Sequence, residues 1–133
     1  KVWNVIHEME KKGIENTLLN LTNRWFTDKF IKNNPFLVER RLKQVVGTDP
    51  EVFLNVFKIY AKTEIFPLLK YISKPCLLLT GENDLGCSPM HNKKMAKEIQ
   101  NSQLVILPKI KHSILIESPN EVVKRLIKFT LQT

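Results

Sequence analysis

The sequence predicts an α/β fold in which a helical segment is followed by two parallel strands and their flanking helices. Three observations carry that expectation. Apolar residues recur at helical spacing through the first part of the chain. Two short continuous apolar runs, Cys76–Thr80 and Gln103–Leu107, are bracketed by Pro75 and Gly81 and closed by Pro108. That is the pattern of strands buried on both faces, as in parallel sheets. Ser-Pro pairs at Ser88-Pro89 and Ser118-Pro119 open helices after each run. The resulting order of strand, helix, strand, helix is that of a parallel α/β sheet.

The helical part runs from residue 1 to about 72. Val2, Val5, Ile6 and Met9 share one helical face and stop before Gly13, a helix-ending residue. Leu18, Leu19, Leu21, Thr22, Trp25 and Phe26 continue with the same spacing. Asn34-Pro35 predicts another helix, with Asn34 as N-cap, Pro at the first helical position and Leu37, Val38, Arg41, Leu42, Val45 and Val46 following. Thr48-Asp49-Pro50-Glu51 opens the next, whose apolar stripe is Val52, Phe53, Val56, Phe57 and Tyr60. A short helix from about Glu64 to Tyr71 precedes Lys74-Pro75. Domain boundaries are therefore expected at 1–63 for the helical segment and 64–133 for the sheet-bearing part. In the latter, Ser88 opens a helix reaching about Gln100. Ser118-Pro119-Asn120-Glu121 reads as a capping box before Val122, Val123, Leu126, Ile127 and Phe129.

Composition narrows the function classes. Of 133 residues, 43% are apolar and 26% charged, which fits a globular protein. No stretch approaches the roughly 18 consecutive apolar residues of a membrane span. The net charge is +8, but the 21 Lys and Arg are scattered, with no stacking motif or zinc knuckle beside them. Lysines on solvated helix faces account for the charge, and a nucleic-acid partner is not expected. Cys76 and Cys87 are the two cysteines. No Cys/His spacing resembles a metal site. The unpaired thiols and the lack of an N-terminal signal peptide point to a reducing, cytoplasmic setting. The chain does not begin with Met, and two strands that read as buried on both faces need neighbours. It is therefore read as a piece of a longer protein, whose open strand edge could drive self-association.

Function in open parallel sheets gathers in the loops after the strands. The first such loop is Gly81-Glu82-Asn83-Asp84-Leu85-Gly86, and the second is Pro108-Lys109-Ile110-Lys111-His112-Ser113. One offers carboxylates and the other a histidine. A carboxylate bonded to an imidazole fixes its tautomer and stabilises the imidazolium formed when the base takes a proton. Asp84 is the expected acid, with Glu82 as a rival, and His112 the expected base. The competing reading of Asp84 is a turn aspartate bonding its own backbone. His91 and His7 are expected to be surface residues. Glu117, beside an N-cap, is expected to be structural. Cys87 has no base in register with it in the sequence.

These residues resemble a known family. Ile72-x-x-Pro75, then Leu77-Leu78-Leu79-Thr80-Gly81-Glu82-Asn83-Asp84, a Pro-started helix, a short strand, His112 and Glu117-x-Pro119 resemble the last third of α/β-hydrolases. The resemblance implies that Asp84 is the triad acid and His112 the triad base, and that the helical segment is the lid such enzymes insert. Arg24-Trp25-Phe26-Thr27 and Thr48-Asp49-Pro50 are similar to the lid of 3-oxoadipate enol-lactonases. Trp25, Phe26 and Phe30 are then candidates to line a substrate pocket. The implied function is cofactor-free hydrolysis of a small-molecule ester or lactone by an upstream serine. The chain departs from the family in lacking the G-x-S-x-G nucleophile elbow; Gly86-Cys87-Ser88-Pro89-Met90 is only a partial imitation. By itself it is expected to be inactive. The alternative is a non-catalytic binding protein of the same fold.

Overall fold

A computed structural model describes residues 2–132. Lys1 and Thr133, the end points of the two expected segments, lie outside the described residues, as does the side chain of Leu19. The chain divides into two compact units, Lys1–Asn23 with Asp28–Glu64, and Arg24–Thr27 with Ile65–Thr133.

The first unit is helical. Helices α1 (Val2–Lys12), α2 (Ile14–Trp25), α3 (Asp28–Asn33), α4 (Pro35–Val46) and α5 (Pro50–Lys62) follow one another with short turns. Gly13 takes a left-handed φ of 82° between α1 and α2, a conformation that costs glycine nothing. The apolar faces read from the sequence supply the core: Ile6, Met9, Leu18, Leu21, Val38 and Val45 are buried. Helix α1 packs against α5, and a Lys58–Glu10 ion pair of 2.8 Å joins them at the surface. The stripe expected on α5 is only partly covered, Phe53 and Phe57 being half-buried. No residue of α5 is fully buried, and Val52, Val56 and Tyr60 are exposed. Phe53 and Phe57 meet, their rings stacked with centroids 5.0 Å apart.

The second unit contains the sheet. A 3-10 helix, Phe66–Tyr71, leads through Pro75 into β1 (Cys76–Gly81); α6 (Pro89–Glu98) then returns the chain to β2 (Ser102–Leu107). The strands pair in parallel, from Cys76 opposite Ser102 to Gly81 opposite Leu107. Helices α7 (Ile114–Glu117) and α8 (Pro119–Thr130) follow. Phe26, Leu69, Ile99, Leu107 and Val122 are buried. The strands are not covered on both faces as their sequence pattern led one to expect. Leu77–Leu79 and Leu104–Ile106 are only half-buried, because the sheet has two strands among the described residues and each has an open edge.

Two of the four expected side-chain caps form. Asp49 accepts from the backbone N–H of Glu51 and Val52, and Ser88 accepts from His91 N–H. Asn34 and Ser118 make no cap bond. The difference lies in ψ. Asp49 and Ser88 are extended, at 126° and 156°, which turns the side chain onto the first helical turn. Asn34 and Ser118 sit at 50° and 57°, because each also terminates the preceding helix through its own N–H, to Phe30 and Ile114 carbonyls. The capping box predicted at Ser118–Glu121 is therefore not made.

Candidate active site

Two loops leave the C-terminal ends of the parallel strands side by side and are stitched together by backbone. Glu82 N–H donates to Leu107 C=O and Asn83 N–H to Ile110 C=O, both at 2.9 Å. Glu82, the rival carboxylate, is used in this seam. Its Oε2 accepts from Lys109 N–H at 2.8 Å, holding Lys109 at a left-handed φ of 59°. That conformation is unusual for a residue with a Cβ. Gly81 permits the close approach. A Cβ there would lie 2.1 Å from Lys111 C=O and 2.4 Å from Ile110 C=O.

The seam brings Asp84 and His112 together. His112 Nδ1 lies 2.7 Å from Asp84 Oδ2. Asp84 is buried at 5% exposure, whereas the His112 side chain is 44% exposed. The other carboxylate oxygen, Oδ1, accepts from Gly86 N–H at 2.7 Å and Cys87 N–H at 2.9 Å. Asp84 is thus both a turn aspartate and the imidazole's partner, one oxygen serving each task. An ionised carboxylate only accepts, so Nδ1 carries the proton and Nε2 is left as the basic nitrogen of the neutral ring.

His112 also meets the Cys87 side chain, a neighbour that no local sequence pattern announces. That contact, then the hydrogen bond and charge of Asp84, favour the protonated ring; burial opposes them, and the outcome is a rise from 6.5 to about 9. The folded chain therefore holds this proton more tightly than the unfolded chain. The stabilisation is fully present below pH 6.5 and is lost as pH rises through about 9. The half-exposed ring is screened by solvent, so the effect is modest. Urea midpoints of the chain should fall between about pH 6 and about pH 10, and His112→Gln should shrink that fall. A parent midpoint that rises across this interval would contradict the pairing.

Cys87 is held at both ends. Its N–H donates to Asp84, and its carbonyl accepts from Thr80 Oγ1 at 2.7 Å and Asn92 Nδ2 at 2.9 Å. Thr80 and Asn92 are themselves buried. The only sequence signal for this arrangement is the three-residue step from Asp84 to Cys87, which is one Asx turn long.

The remaining candidates fall elsewhere. Phe26 is wholly buried, and Trp25 and Phe30 are half-buried. Trp25 C=O accepts from Ser113 N–H at 2.9 Å, which ties the residue after His112 to the 24–27 segment. Glu117 accepts from Thr27 N–H at 3.2 Å and from the Thr27 hydroxyl, a structural use. His91 is exposed, with Nδ1 3.3 Å from Ser88 Oγ. His7 is also exposed. In the first unit, a groove of about 440 Å³ is lined by Phe36, Glu39, Arg40, Lys43 and Gln44; it contains none of the expected site residues.

Known proteins share this architecture. A family model described as TAP-like protein matches residues 61–133. Among curated proteins, 3-oxoadipate enol-lactonase 1 of Acinetobacter baylyi is 26% identical over 123 residues, covering 92% of this chain and 46% of that protein. Pimeloyl-[acyl-carrier protein] methyl ester esterase of Nitrosospira multiformis is 25% identical over 92 residues, covering 69% and 35%. Among solved structures, the enol-lactonase from Burkholderia xenovorans LB400 superposes with a TM-score of 0.91 at 21% identity, covering 96% of this chain and 49% of that one. A thermophilic esterase from Thermogutta terrifontis gives 0.84 at 22% identity, covering 97% and 48%. The chain thus spans less than half the length of the curated relatives it matches. The fold is that of α/β-hydrolases, and the resemblance to enol-lactonases read from the sequence is borne out. Among the described residues, no helix is long and apolar enough to cross a membrane.

Proposed function

This chain belongs to the TAP-like protein family, and on that premise we propose that it supplies the acid and base of a serine hydrolase acting on a carboxylic ester or lactone. The observation that carries the reading is the 2.7 Å contact between His112 Nδ1 and buried Asp84. With its proton fixed on Nδ1, neutral His112 offers Nε2 to a serine hydroxyl. It takes that proton as the serine oxygen attacks the carbonyl, and returns it to the leaving alkoxide. In the second half it takes a proton from water as the water oxygen attacks the acyl-enzyme, then gives that proton to the departing serine oxygen, which releases the acid product and restores the serine. Asp84 stays ionised throughout and stabilises the imidazolium. Turnover by such a base rises with pH as His112 loses its proton.

The serine is assigned to a part of the protein outside these 133 residues, together with the oxyanion hole. Coverage of less than half of the relatives supports this. So do the open edges of the two-stranded sheet and the exposed Val123, Leu126 and Ile127 on α8, which further strands would cover. In their absence the same surfaces favour self-association. The family resemblance supports a lid role for the helical segment, and Trp25 and Phe30, each half-buried, stay candidates to meet a small substrate. The two free cysteines, Cys76 and Cys87, support a reducing, cytoplasmic setting as part of this proposal.

A serine-directed fluorophosphonate tests the assignment. It should label the intact protein at one serine other than Ser73, Ser88, Ser102, Ser113 and Ser118, the five in this chain. Labelling of one of those five, or of none, would sink it.

A further inference from the structure

The contact between Asp84, Cys87 and His112 brings three different donor chemistries to one point. A carboxylate oxygen, a thiol sulfur and an imidazole nitrogen all lie within 4.8 Å of one another. We propose that these three residues form a binding site for a thiophilic divalent cation of the zinc class, contrary to the absence of metal-ligand spacing in the sequence.

The donor set selects the ion. Thiolate and imidazole favour zinc over magnesium or calcium, which require oxygen ligands. Zinc bonds of about 2.0–2.3 Å at tetrahedral angles place donors about 3.3–3.8 Å apart. These atoms lie within 4.8 Å of one another, and rotation of the two exposed side chains, Cys87 and His112, would close them onto an ion as the thiol proton and the ring proton now facing Asp84 are released to solvent. Asp84 need not move. Its Oδ1 is fixed by two backbone N–H groups, which orients the carboxylate as outer hydrogen bonds orient metal-bound carboxylates elsewhere. The Cys87 backbone is fixed in turn by buried Thr80 and Asn92. Three protein ligands leave a fourth position open to water or a small anion.

One consequence rests on the function proposed above. An ion bound to His112 and Asp84 removes both from proton transfer, so zinc would switch the hydrolase off.

The test begins with cobalt(II) as a spectroscopic substitute for zinc, added to the full chain. One equivalent should bind and give a thiolate-to-cobalt charge-transfer absorption, which zinc then displaces. Cys87→Ser should abolish that absorption and weaken zinc binding at least about a hundredfold, the loss of a direct ligand exceeding the 10- to 100-fold typical of outer-shell changes. Cys76→Ser and His91→Gln should leave both unchanged. No charge-transfer absorption in the parent, or zinc affinity in Cys87→Ser within threefold of the parent, overturns the site. Because the absorption requires no turnover, it separates failure of the site from failure of the hydrolase reading. If the hydrolase reading alone fails, the cobalt signal of the chain remains while ester turnover by the intact protein is absent with or without zinc.

Discussion

Replacing Gly81 with alanine should destabilise the sheet-bearing unit by about 3 kcal/mol, at the upper end of what overpacking costs. The new Cβ would meet Lys111 C=O at 2.1 Å and Ile110 C=O at 2.4 Å. Both obstacles are backbone atoms, so no side-chain rotation relieves the clash. The loop carrying His112 must move away from β1. Its movement breaks the Asn83–Ile110 hydrogen bond and draws His112 away from Asp84. Against a typical domain stability of about 5–15 kcal/mol, the loss should be plain in urea unfolding of the chain. A midpoint within error of the parent would show that the two loops are not held together at Gly81.

Asp84→Asn should lower turnover of the intact protein by about 10⁴-fold while leaving it folded. The two halves of that outcome come from the two oxygens. Asparagine keeps Oδ1, and with it the bonds from Gly86 N–H and Cys87 N–H, so the turn survives. It replaces Oδ2 with an NH₂ that donates toward His112 Nδ1. The ring must then accept at Nδ1 and carry its proton on Nε2, the nitrogen that should receive the serine proton. Circular dichroism and ester turnover measured together check both parts. Less than a tenfold loss of turnover, with the fold intact, would mean that Asp84 does not set the tautomer.

What the sequence made legible follows from local rules. Pro75 and Gly81 delimit β1 because proline donates no hydrogen bond and glycine admits a close neighbour. The placement of Asp84 and His112 after adjacent strands follows from topology, which two apolar runs and an intervening helix specify. The missed features depend on contacts distant in sequence. Nothing near Cys87 announces His112, because the strand register brings them together. The Thr27–Glu117 bond spans 90 residues, and it is among the contacts that place 24–27 with the second unit. Asn34 and Ser118 have good N-cap side chains, yet the residue type does not reveal that each is shared by two helices. Strand burial falls short of its sequence pattern for a related reason. Sequence pattern reports the environment a segment is built for, and the half-buried Leu77–Leu79 show that this environment needs more sheet than two strands provide.

The most direct measurement is the ratio of kcat/KM for ester hydrolysis by the intact protein and its His112→Ala variant, each shown to be folded. Loss of the base should lower it by about 10⁴-fold or more, consistent with triad members acting as a unit. A loss of less than tenfold would contradict the assignment of His112 as the base and leave the Asp84–His112 pair as an element of structure.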